Sequence, residues 1–299
     1  MRRALQTLCT LALLAAPARA VEAPRLVVEA PPELAPVARE IERRAPHAFD
    51  EAMRLTGLAD PGAPIVVFLA PEGSAEARST PPWIAGYAQE AAGVVVLLPA
   101  RVGRYPDRGL EPLLRHEVCH ILVARAAHSR PVPRWFDEGL ALTAGREADL
   151  GDRARVALAV LTADRLPLAR LDRAFAGGES EVHAAYALAG DLVRELLRDH
   201  GADTGARILA RVARGERFDE AFRAATGVAL GEFEHDYWRR RTLWDRWVPV
   251  VSSSVVIWAG IAGIALAAFR RRRIRDAELR RRWEEEEAAG GGEEPPSDS

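Results

Sequence analysis

The sequence predicts an α+β domain: a small sheet with a helix in front of it, then a mostly helical half, with one C-terminal transmembrane helix. Three observations carry this. Ile65 to Leu69 is a short, mainly β-branched run between Pro64 and Pro71, and Gly93 to Leu98 is a second, stopped by Pro99; both read as strands. From Pro112 to about Trp247 the signals are almost all helical. Segregated strands and helices of this kind make an α+β arrangement.

Composition permits a packed core, since 48% of the 299 residues are hydrophobic. The formal net charge of -2 offers no reason to expect nucleic acid as a partner. All 41 basic residues are arginine, a bias that carries no functional reading. The two cysteines are Cys9 and Cys119. Cys9 lies in a segment expected to be removed, so the mature chain has no internal disulfide available.

Both ends read as addresses. Residues 1–20 have the parts of a secretory signal peptide: Arg2 and Arg3, an apolar run from Leu8 to Ala16, and the small-x-small cleavage site Ala18-Arg19-Ala20. The exported domain then covers residues 21–246. Trp247 to Phe269 is uncharged and as a helix spans roughly 35 Å, enough to cross a hydrocarbon core of about 30 Å. Arg270 to Arg273 follow at once, which keeps that end in the cytoplasm by the positive-inside rule. The expectation is a single-pass cell-membrane protein with its N-terminal domain extracytoplasmic and a charged, partly disordered cytoplasmic tail at 270–299.

Within the exported part, Pro31, Pro32 and Pro36 interrupt the start. Val37 to Leu55 reads as helical with a break at Pro46. Residues 72–92, rich in Gly, Ser, Pro and Ala, read as a loop carrying Trp83 and Tyr87. Gly145, Gly201 and Gly227 each suit the position just past a helix.

The chemistry lies in the helix after Pro112. His116-Glu117-Val118-Cys119-His120 is an H-E-x-x-H pattern. Four residues are just over one turn, so both imidazoles project from one face and can share a metal. Glu117 sits one step round, where it can hold a water bound to zinc and take its proton. Cys119 reads as a small buried apolar side chain. Zinc in a catalytic site needs a third protein ligand and an open fourth position. Pro131 and Pro133 mark a turn that would bring a second helix back, with Asp137 and Glu138 as the carboxylates on offer. Gly139 beside them would let that helix approach the metal closely.

The first motif, followed by Trp135-Phe136-Asp137-Glu138-Gly139-Leu140-Ala141, resembles the peptidase MA-like gluzincin domains, and more distantly thermolysin and the zinc aminopeptidases. The resemblance covers roughly residues 60–240. It implies a zincin-like fold, Zn2+ as cofactor, His116, His120 and Glu138 as metal ligands, and a peptide or protein substrate. It also implies that Val94 to Leu98 is the edge strand along which an extended peptide pairs. Related domains carry a Tyr in a later helix, which implies that Tyr186 donates to the oxyanion; His183, one turn away, is a lesser candidate. The other histidines, His47, His128, His200 and His235, read as structural or exposed. One departure stands out: the acidic residue that thermolysin-like enzymes place four positions after the ligand Glu is here Leu142, which leaves the residue orienting a zinc histidine unidentified.

The expected function is a membrane-anchored zinc metallopeptidase in which Glu117 activates the water. The alternative is a catalytically inactive zincin-like binding or scaffolding module at the cell envelope. The intact Glu117 argues against that reading, since a structural site needs no base. A third reading is a zinc hydrolase acting on a non-peptide amide, such as a cell-wall crosslink.

Overall fold

The computed structural model describes residues 25–103, 105–162 and 166–251, together with 258, 261–266, 268–273 and 275. The expected signal peptide at 1–20 lies outside these residues, as do the tail after Arg275 and part of the apolar run 247–269. Among the described residues no helix is long and apolar enough to cross a membrane.

The N-terminal half holds four short strands. They are β1 (Leu26–Glu29), β2 (Ile65–Leu69), β3 (Gly86–Gln89) and β4 (Val94–Leu97), in the spatial order β1-β2-β4-β3. β1 pairs with β2, and β2 with β4, in parallel, while β3 runs antiparallel to β4. Period-2 alternation sends Ile65, Val67 and Leu69 to one face, where they join the main core with Leu26, Val95 and Leu97. The other face carries a smaller cluster of Ala70, Val96 and Leu98, covered by Ala77 of α3 (Ala75–Ser79).

The predicted break at Pro46 separates α1 (Ala35–Arg44) from α2 (Asp50–Thr56). Gly57, at φ 74°, ends α2 in the left-handed conformation that glycine adopts without steric cost.

Residues 72–92 are not simply a loop: they contain α3 and β3. Gly86-Tyr87-Ala88-Gln89 has no β-branched run to announce a strand, and only pairing with β4, in the register Gly86↔Leu97 to Gln89↔Val94, holds it extended. As a consequence, Val94 to Leu98 is not the edge strand. β4 is interior, flanked by β2 and β3, and β3 is the edge on that side of the sheet. The segment leading into β3 is held by Arg101, whose guanidinium is buried. It donates to both Glu72 oxygens at 2.7 and 3.0 Å and to the carbonyls of Ala77 and Pro81 at 2.8 and 3.0 Å.

From residue 110 the chain is helical, as predicted. The helices are α4 (Leu110–Ala126), α5 (Arg134–Gly145), α6 (Leu150–Thr162), α7 (Leu168–Ala174), α8 (Glu179–His200), α9 (Thr204–Ala213), α10 (Phe218–Thr226) and α11 (Leu230–Val251). α5 packs against α4 and α8. Gly139 explains how α8 comes so near: a Cβ there would stand 2.5 Å from the Ala189 carbonyl oxygen and against Val193. The glycine serves helix–helix contact with α8, not approach to a metal as expected. Gly201 and Gly227 follow α8 and α10 as predicted. Gly145 instead remains inside α5, where a Cβ would sit 3.0 Å from the Pro112 carbonyl oxygen.

Candidate metal centre

α4 is supported over its whole length by core residues: Leu113, Leu114, Val118, Cys119, Ile121 and Leu122 are all buried. This apolar surface fixes the helix and turns His116 and His120 toward α5. The chain reverses through His128 and Ser129, both at positive φ. α5 then starts behind Pro133, with the Trp135 amide donating to Asp172 of α7 at 2.8 Å. That contact, together with the α8 packing at Gly139, sets the rotation of α5.

The result is a convergence of three atoms. His116 Nε2 lies 3.4 Å and His120 Nε2 3.5 Å from Glu138 Oε2. Ligand atoms of the three side chains all lie within 4.8 Å of one another. Two ligands on one tetrahedral zinc, each bonded at roughly 2.0–2.1 Å, stand about 3.4 Å apart, so the spacing is that of a single ion's coordination shell. Glu138 Oε2 is buried and accepts no hydrogen bond, a costly state unless a cation completes it. The donor set fits zinc.

Each outer nitrogen faces a carboxylate, through a hydrogen bond at His120 and at ion-pair distance without hydrogen-bond geometry at His116. His120 Nδ1 is 2.9 Å from Asp137 Oδ2, and His116 Nδ1 is 3.2 Å from Asp107 Oδ2. Asp137, the competing carboxylate for the third ligand position, instead faces the outer nitrogen of one imidazole; the carboxylate facing the other is Asp107, which carries no signal in the sequence. The loop bearing Asp107 is tied down by Arg146, whose Nε donates to the Pro106 carbonyl at 3.0 Å and whose other nitrogens bind Asp152 at 2.6 and 2.9 Å. The second Glu138 oxygen accepts from Arg134 Nε at 3.2 Å. Leu142 is buried against α8 near Gly190, remote from this role.

The electrostatics follow from burial. Desolvation pushes the Glu117 carboxyl up to about 7, the neighbouring histidines only partly opposing it. Burial disfavours charge on His116 and His120, but the Asp107, Asp137 and Glu138 carboxylates outweigh it and raise both imidazoles. Burial likewise works against Glu138, yet the two histidines hold it well below the usual carboxylate range. Cys119 is fully buried, and desolvation pushes its thiol up to about 12, as an inert apolar side chain requires.

Tyr186 of α8 stands beside the triad, its ring edge-on to His116 with centroids 6.2 Å apart. Burial, then the carboxylates of Glu138 and Glu117, raise its phenol well above the ordinary value, so it keeps its proton. β3 also lies close to the triad. A Cβ on Gly86 would be 3.2 Å from Glu117 Oε1, so glycine lets the edge strand lie against the buried carboxylate. A cleft of about 360 Å³ opens along β3, walled by Tyr87, Glu90, Glu117, His120, Arg134 and Tyr186 among others. Tyr87 lines this cleft, and Trp83 lines a smaller cavity that adjoins it at Gly86, His116, Glu117 and Tyr186. His183 is turned to Tyr105, with ring centroids 5.1 Å apart.

No curated protein and no solved structure matches the chain. A family model does match, over residues 79–243, a span that begins just ahead of the edge strand, runs through the triad and ends in α11. With more than half of the sequence under that match and the His116–His120–Glu138 convergence inside it, the chain belongs to the peptidase MA superfamily.

Proposed function

We propose that the protein is a zinc-dependent metallopeptidase of the gluzincin type. The observation that carries this reading is the meeting of His116, His120 and Glu138 at one point beside a buried Glu117. His116, His120 and Glu138 hold the ion, which supplies a Lewis acid when bound. Asp137, hydrogen-bonded to the outer nitrogen of His120, and Asp107, facing that of His116, orient the rings so that the inner nitrogens ligate. Glu117 takes a proton from the attacking water and returns it to the departing amine. A carboxylate brought toward neutral pH by burial suits both steps. Tyr186, protonated and at the same wall, donates to the oxyanion. β3, an exposed antiparallel edge along the cleft, offers main-chain groups to an extended peptide.

The reading extends to location. An exported domain held by the 247–269 segment is supported by the end signals and by large apolar side chains left at the surface there: Trp258, Ile261, Ile264, Leu266 and Phe269.

Metal analysis with peptide-library cleavage, run on the wild type and on Glu117→Gln, tests the function. The expected result is about one zinc per chain in both, with turnover lost by a factor of about 10²–10⁴ in the variant. Zinc retention without cleavage of any peptide by the wild type would count for a binding module instead.

A further inference from the structure

The two oxygens of Glu138 are used differently. Oε2 is the atom that both inner imidazole nitrogens approach, at 3.4 and 3.5 Å. Oε1 accepts a hydrogen bond from Arg134 Nε at 3.2 Å. The pairing is built into α5. Residues four apart stand one above the other on a helix, and side chains lean toward its N-terminus, so Glu138 reaches back to Arg134.

A cation at this position does nothing for the helix itself. Arg134 opens α5, at the end whose free amides carry partial positive charge, whereas cations are stabilising at the other end. Its guanidinium is nevertheless fixed on a second side, with Cζ 4.9 Å from the centre of the Phe175 ring. Phe175 is buried and packs edge-on against Tyr186, with ring centroids 5.3 Å apart. Half of the Arg134 side chain is open to the cleft, so stacking and the carboxylate, rather than burial, hold the planar group in place.

We infer that Arg134 is a positioning residue that confines Glu138 to a single ligating oxygen. A carboxylate with both oxygens free can bind a metal through both. The second oxygen would then crowd the coordination position that a catalytic zinc site leaves to solvent. With Oε1 committed to the guanidinium, only Oε2 turns to the ion. The inference rests on the zinc-peptidase reading for the identity of the ion, but the coordination it predicts is read without any substrate.

The full chain loaded with Zn2+ or Co2+ tests it, as wild type and as Arg134→Met, which keeps a flexible apolar stem against Phe175 and removes the donor. X-ray absorption of the zinc form is expected to show about one more oxygen in the first shell of the variant. The cobalt form should lose visible d–d intensity as four-coordination gives way to five. Peptide turnover should fall by about 10–100-fold, while metal affinity, read by chelator competition, stays equal or rises. Thermal melts check the fold, and Arg134→Ala takes the place of a variant that does not fold. Unchanged coordination in the variant overturns the inference. So does a loss of metal affinity that matches the loss of turnover, because a merely structural support would give that result. An added oxygen in the variant, with a wild type that cleaves no peptide, sinks the peptidase reading and leaves the inference standing. Peptide cleavage by the wild type with unchanged coordination in the variant does the reverse, and a wild type that holds no metal sinks both.

Discussion

Asp107 Oδ2 lies 3.2 Å from His116 Nδ1, and both side chains are no more than 4% exposed. The carboxylate arrives from the loop ahead of α4, while its counterpart on His120, Asp137, precedes the ligand Glu138 on α5. The two histidines are thus steadied from opposite directions. Replacing either carboxylate frees an imidazole to rotate or change tautomer. Asp107→Asn and Asp137→Asn should each weaken zinc binding by about 10–100-fold, read by competition with a chromophoric chelator. The larger loss is expected at Asp107, because Asp137 is 17% exposed and water can partly replace it. Unchanged affinity in Asp107→Asn would remove it from this role.

Tyr186 is in place to act on the substrate without touching the ion. Tyr186→Phe should lower kcat by about 10²–10³ with KM and zinc content nearly unchanged. The ring packing on Phe175, with centroids 5.3 Å apart, survives that change, so stability should hold. A variant with wild-type kcat would make Tyr186 a packing residue only.

Two glycines should separate packing from chemistry. Gly139→Ala forces a methyl group into the Ala189 carbonyl and Val193, and is expected to cost about 1–3 kcal/mol by overpacking, seen as a lower Tm. Gly86→Ala meets the flexible end of Leu97 at 2.9 Å and Glu117 Oε1 at 3.2 Å. It should be milder in Tm yet lower kcat by displacing the base. Equal losses of activity at equal Tm would contradict the distinction.

Acid should act on the brace behind Asp107. Burial works against the Asp152 charge, but the Arg146 hydrogen bonds outweigh it and lower the Asp152 pKa below 3.8. A carboxylate with a depressed folded pKa contributes stability above its unfolded value, and that contribution is lost as pH falls through the folded one. Asp152→Asn should therefore cost about 3 kcal/mol near pH 7, with the gap from wild type closing below about pH 4. Thermal melts between pH 7 and 3 measure it. A gap that stays constant would mean the ion pair contributes nothing.

What could be read without the structure was whatever one element carries along itself. His116 and His120 share a face because four residues make just over one helical turn. β2 and β4 declare themselves by β-branched runs, and Pro46 breaks a helix wherever the chain goes next. What could not be read depends on partners distant in sequence. β3 has no strand composition and exists through its ladder with β4. That ladder makes β3 the edge and buries the strand that the sequence marks more strongly. Asp137 and Glu138 are neighbours about 100° apart around one helix, and local pattern leaves either as ligand. The rotation of α5, set by the Asp172 contact and by α8 pressing on Gly139, sends Glu138 to both imidazoles and Asp137 to the outer nitrogen of one. Asp107 carries no local mark, since a carboxylate in a loop becomes a histidine's partner only when packing closes the loop over the helix.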